Sequence, residues 1–333
     1  MRLPLLLASL STLTSPLAQA DGPSKGPLLA LKSAGIPYVV LATQADAAWA
    51  SGPVELLVAE APLFEVRQPV DVKALPADLA AWAGKRVSLS GSGTSSMCEG
   101  TVGSFWRMNR FETEEFYESE THRATPTTQA ERDALAAALT RPEERALLVG
   151  ALVDVRGACT AVTHGKLAES AQGTIYGATI ATGKVRDGAI AAFRALPLWK
   201  SIQKEYVAWG KEHKPAPGEK RSSRWDEYGA PIQVQTLTDG GPEGFVVVTA
   251  WDPDGCGDYF RRGGSALFAF KGKAITLVSR SDALFQAVTV QGAEDADGDG
   301  KPELLIHDGL LEWRDGAPTQ TLDASPINHM CPC

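Results

Sequence analysis

The chain has 333 residues, a formal net charge of −8 at pH 7 and 44% hydrophobic residues. That is enough apolar material for two ordinary domains or one large one. The acidic balance argues against nucleic acid or anionic lipid as the main partner, and no run of about 18 apolar residues predicts a transmembrane helix.

Residues 1–20, MRLPLLLASLSTLTSPLAQA, begin with a short positive region at Arg2. An apolar stretch from Leu3 to Leu13 and a small-residue box at Ala18-Gln19-Ala20 follow. This is the pattern of a secretory signal peptide, so the expected location is secreted or periplasmic. No cysteine lies near the cleavage point, which argues against a lipid anchor. Cleavage removes Arg2 and no acid, taking the formal charge from −8 to −9.

Residues 21–210 predict an N-terminal domain of mixed strands and helices. IPYVVLAT and VELLVAEAPLFEV are β-branched runs of strand length. Leu75–Gly84 reads as a short helix stopped by glycine, KRVSLSG as a strand, and Gly100–Glu112 as a second strand rich in aromatics. A helix is expected from about Gln129 to Thr140, ended by Pro142. Strands return in RALLVGALVDVRGACTAVTHG. A further helix runs from Ile190 to Gly210, with Pro197 as a kink or break.

Residues 211–227, from Lys211 to Glu227, are polar, basic and proline-bearing, and read as a linker or surface loop. They have little aromatic interleaving, so a nucleic-acid patch is rejected. Residues 228–333 read as an all-β C-terminal domain of short runs parted by Gly, Asp and Pro. FVVVTA followed by ALFAFKGKAITLV is echoed by ELLIHD followed by LLEWRDGAPTQTL. Two such copies suggest antiparallel sheets resembling one or two propeller-type blades. The fold class expected is therefore α+β and β-rich.

The five cysteines are Cys98, Cys159, Cys256, Cys331 and Cys333. In an oxidising compartment bridges are expected. Cys98–Cys159 and Cys256 with Cys331 or Cys333 keep each bridge within one domain and leave one thiol over. A Cys331–Cys333 bridge would close a short, strained loop and ranks lower.

The chemistry concentrates in EDADGDGKPELLIHDG, Glu294 to Gly309. Calcium takes six to eight hard oxygen ligands, and a tight loop supplies them when carboxylates alternate with small residues. Asp295, Asp297, Asp299 and Glu303 would give side-chain oxygens, Gly300 the turn, and Lys301 its carbonyl. An EF-hand would need a bidentate Glu at the twelfth position and flanking helices. Ile306 stands at that position and the flanks read as strands, so that reading fails.

AEDADGDGKPELLI resembles the calcium loop of FG-GAP (VCBS) repeats, found in integrin α-chain propellers and many secreted bacterial proteins. The resemblance implies a structural Ca2+ between two strands of a blade. In it Asp295, Asp297, Asp299 and Glu303 match the side-chain ligands and Lys301 the carbonyl position. Glu303 stands where Asp is more usual. The family normally carries several copies and this chain one good one, short of the four blades a propeller usually needs. WDPDGCGDYF (Trp251–Phe260) imitates half the pattern, with Cys256 at a ligand position, and reads first as a degenerate loop held by a disulfide and second as another ion site.

Other motifs carry less. His329, Cys331 and Cys333 could hold a soft metal, but the compartment favours a disulfide. GATIATGKV fails as a phosphate loop on both spacing and the terminal Val185. His122, His164, His213, His307 and His329 have no partner at catalytic spacing. Trp106, Trp199, Trp209, Trp225, Trp251 and Trp313 lie within or beside apolar runs and read as core rather than a sugar-binding surface. The function expected is a non-enzymatic, calcium-stabilised binding or structural protein with a protein or carbohydrate partner. The alternative is a secreted hydrolase whose active site lies in the N-terminal domain.

Overall fold

The computed structural model describes residues 27–60, 63–91, 94–112, 128–139, 146–160, 162–169, 174–215, 220–227, 232–250, 260, 262–281, 289–295, 301–306, 309–314, 317–324 and 327–328. The chain begins with β1 (Leu28–Ser33) and β2 (Ile36–Ala42), then β3 (Glu55–Glu60) and β4 (Leu63–Pro69). After the short α1 (Ala77–Ala80) come β5 (Arg86–Gly91), β6 (Thr94–Glu112), α2 (Gln129–Leu139), β7 (Leu147–Gly157) and β8 (His164–Leu167). Next are β9 (Thr174–Ile180), α3 (Gly183–Ala195) and α4 (Pro197–Glu212). A 3-10 turn (Trp225–Glu227) follows, and then the strands β10 (Gln233–Thr238), β11 (Glu243–Ala250), β12 (Gly264–Lys271), β13 (Ala274–Ser281), β14 (Val290–Asp295), β15 (Glu303–Ile306), β16 (Gly309–Arg314), β17 (Ala317–Asp323) and β18 (Ile327–Asn328).

The strands of the first half close on themselves. Their order is β6-β5-β8-β1-β2-β7, and β7 pairs back onto β6, giving a six-stranded antiparallel barrel. Closure depends on the length of β6, 19 residues with register shifts after Glu99 and Val102. Such irregularities bend a strand and raise its twist. Its first half pairs with β5, and its second half carries β4 and β3 outward beyond the barrel. The β1–β2 turn is a two-residue link with positive φ at both Ala34 (47°) and Gly35 (83°), the conformation that matches strand twist.

Alternation along these strands fills the barrel with Leu28, Val39, Val87, Leu89, Val102, Phe105 and Leu148. Cys98 and Cys159 join this core as a disulfide, the pairing expected from the sequence. Gly165 of β8 has no room for a side chain: an added Cβ would lie 2.4 Å from Leu89 Cδ2 and 3.0 Å from the Ser88 carbonyl. The opposite face of β1, β2 and β7 is also apolar. Leu29, Leu31, Tyr38, Val40 and Val149 there are covered by Leu322 and Ala324 from the C-terminal end of the chain.

The second half is antiparallel sheet, as expected from the sequence. Two four-stranded meanders, β10 to β13 and β14 to β17, do form. They are not independent, because β9 inserts between β10 and β14 and bonds to both. The result among the described residues is one nine-stranded antiparallel ladder. It curls until β13 and β17, at its two ends, approach within 8 Å between Cα atoms.

The first sheet takes β1 to β8 and, from the C-terminal end, β18; the second takes β9 to β17. Helices α3 and α4 pack on the convex face through Ala189, Phe193, Ile202 and Tyr206, against Val246, Val248 and Phe268. Pro197 opens α4 at its first turn, where its missing N–H costs nothing. Residues 220–227, within the expected linker, are held to α4. Tyr206 donates to the Ser222 carbonyl at 2.8 Å, Gln203 to the Ser223 carbonyl at 2.9 Å, and Trp225 is buried. Among the described residues no helix is long and apolar enough to cross a membrane.

Candidate metal centre and its surroundings

The acidic loop leaves the ladder at Asp295, the last residue of β14, and re-enters it at Glu303, the first of β15. The two strands are antiparallel neighbours, so the context is strand–loop–strand. Leu304 and Leu305 enter the core, as the apolar run after the acids predicts. Asp297, Asp299 and Gly300 lie outside the described residues, as do Cys256, Cys331, Cys333 and the degenerate loop at 251–259. Among the described residues alone, no three His, Cys, Asp or Glu side chains gather into a metal-holding group.

The register adds a residue outside the expected ligand set. Glu294 stands directly opposite Glu303, and both are buried, at 3% and 7% exposure. Like charges facing one another across a ladder destabilise it. One compensating cation comes from the barrel: Lys166 Nζ of β8 lies 3.4 Å from Glu294 Oε1. Asp295 Oδ1 is also shut off from solvent. The acidic end of the β14–β15 hairpin is thus buried, and it is tied by charge to the other sheet.

His164 lies beside this junction, two residues before Lys166 on the outward face of β8. Its Nδ1 shares a 3.1 Å hydrogen bond with Thr163 Oγ1, and its buried Nε2 has no partner among the described residues. Burial, and secondarily the Lys166 charge, holds its pKa down to about 4. The unfolded chain takes up this proton near pH 6.5 and the folded chain only near 4. The resulting stability is therefore complete above pH 6.5 and is lost as pH falls from 6.5 to 4, by about 3 kcal/mol. Urea unfolding across that range should show this loss in wild type and not in His164→Asn. Equal losses in the two proteins would refute it.

A second polar cluster occupies the outer face of β4 and β6. Glu65 is buried and saturated: Oε2 accepts from Ser33 Oγ, and Oε1 from Arg110 Nε at 2.8 Å. Arg67 donates to Tyr38 Oη at 2.7 Å, pairs with Glu55 at 2.9 Å and lies over the Trp106 ring at 3.8 Å. Burial pushes the Tyr38 hydroxyl up, with Arg67 pulling the other way. Through these bonds the buried Ser33–Glu65–Arg110 set ties β1, β4 and β6 together. Arg107, on the other face of β6, is buried with no bond to its Nε among the described residues, and burial lowers its pKa.

Comparison of the chain with protein-family models, with curated proteins and with solved structures gives no match. The functional reading therefore rests on the residues themselves.

Proposed function

We propose that this is an exported, non-catalytic binding or structural protein whose second sheet is braced by a calcium ion. Asp295, Asp297, Asp299 and Glu303 would hold the ion with side-chain oxygens and Lys301 with its carbonyl. The ion supplies charge compensation and cross-linking, not chemistry on a substrate. The observation that carries this reading is the buried, face-to-face pair Glu294 and Glu303 at the mouth of an acidic strand–loop–strand hairpin. A divalent cation at the mouth of the hairpin would offset the repulsion between its carboxylates. Strand alternation sets Asp295 on the Ala293 side and Glu303 on the Glu294 side. An ion held by both then closes the end of the ladder instead of decorating one face. The likeness to FG-GAP loops supports the same ligand set and a structural role. It is confined to this hairpin.

The test is thermal unfolding in calcium and in chelator, for wild type and Asp297→Ala. At free calcium a hundredfold above Kd, wild type should gain about 2.7 kcal/mol, and Asp297→Ala should lose most of that gain. If calcium leaves both melting points unchanged, the ligand assignment is wrong.

A further inference from the structure

The concave face of the second sheet ends in an open cleft of about 620 Å3, set between the β10–β11 and β12–β13 turns. Behind it lie Leu237, Val247 and Leu267, the apolar lining of the curl. At the mouth Tyr176 meets Phe245 edge to face, with ring centroids 5.3 Å apart and planes at 85°. The rim is polar and carries both kinds of hydrogen-bonding group. Lys271 Nζ and Glu243 Oε1 are paired at 2.5 Å. Asp239 Oδ1 accepts the Gly241 amide at 2.9 Å, which fixes the carboxylate, and Oδ2 has no bond among the described residues. Thr276 adds a hydroxyl. The two turns are tied together, Gly272 N–H donating to the Pro242 carbonyl at 3.4 Å, so the rim is preformed.

We propose that this cleft binds a neutral saccharide. A pyranose ring has an apolar C–H face and a belt of hydroxyls, each able to donate and to accept. The Tyr176–Phe245 pair offers aromatic surface for the first. Asp239, Glu243, Lys271 and Thr276 offer acceptors and donors for the second. The volume falls within the range of small-ligand sites. An anion would face two carboxylates against one ammonium that is already paired. A cation would be served by the carboxylates but opposed by Lys271. A purely apolar ligand would strip water from the rim charges without replacing their hydrogen bonds.

This inference rests on the binding-protein reading and is independent of the ion. The experiment is saturation-transfer NMR on the full chain in calcium buffer. The probes are neutral trisaccharides of glucose, mannose and galactose, with spermidine and trigalacturonate as charged probes. Transfer to ring C–H protons of at least one neutral trisaccharide is expected, with affinity about tenfold weaker in Asp239→Asn and in Thr276→Val. No transfer to any neutral sugar, transfer unaffected by both substitutions, or transfer to the charged probes alone would each overturn the assignment. Release of monosaccharide in the sample would instead overturn the non-catalytic reading. Calcium-independent melting would overturn only the brace.

Discussion

Replacing Arg110 with methionine should destabilise the protein by about 3–5 kcal/mol, because it strands a buried carboxylate. Glu65 and Arg110 side chains are only 3% and 11% exposed, and their bond is 2.8 Å long. The same guanidinium donates through Nη1 to the Ala324 carbonyl at 2.6 Å. Ala324 covers the outer face of the barrel, and just beyond it β18 adds to β6 in parallel. Removing Arg110 therefore leaves a charge in the interior and also cuts a tie holding the end of the chain to the barrel. Urea denaturation of Arg110→Met measures the cost. The double variant Arg110→Met with Glu65→Leu separates the two parts, since removing both charges should restore most of the loss. A single-variant cost below about 1 kcal/mol would show that the pair is no more than a surface contact.

Loss of the Cys98–Cys159 bridge should cost about 4 kcal/mol, from the entropy of the loop it closes. The cysteines are 61 residues apart in sequence. Both are buried in the barrel core, on β6 and after β7, so the bridge fastens the seam where the barrel closes. The double variant Cys98→Ala with Cys159→Ala, unfolded beside wild type, gives the value. The oxidised wild type should lose a similar amount on reduction. A cost under about 1 kcal/mol would mean that the unfolded chain gains little freedom from losing the bridge.

Local features were readable because their causes are local. Pro197, expected to kink or break a single helix, divides α3 from α4, and the helix expected from Gln129 appears as α2. The glycine within ALFAFKGKAITLV, Gly272, turns the β12–β13 hairpin with φ of 60°. The strand–loop–strand setting of the acidic motif followed from Ile306 and the β-branched flanks. What could not be read depends on partners far away in sequence. VELLVAEAPLFEV looked like one strand and is the β3–β4 hairpin. Leu28–Ser33 was not singled out, yet it is strand β1 of the barrel, between β8 and β2. Its alternation is short and its turn uses Ala34, which rarely takes positive φ. Glu294 looked like a flanking acid; only the register placed it opposite Glu303 and against Lys166. The segment around Tyr176 was weighed as a phosphate loop and rejected. Nothing local marks it as the strand that joins two meanders.

That joining strand makes the second sheet late. β9 follows directly after the barrel strands, but its two neighbours are far downstream, β10 from Gln233 and β14 from Val290. Whichever channel delivers the chain, β9 emerges with both edges bare. It acquires β10 before β14, and the acidic hairpin that closes its second edge comes among the last strands out. At synthesis rates of about 5–20 residues per second, that edge stays open for several seconds. A half-finished chain thus presents a ready template for foreign strands, and the C-terminal meander acts as its own protective cover.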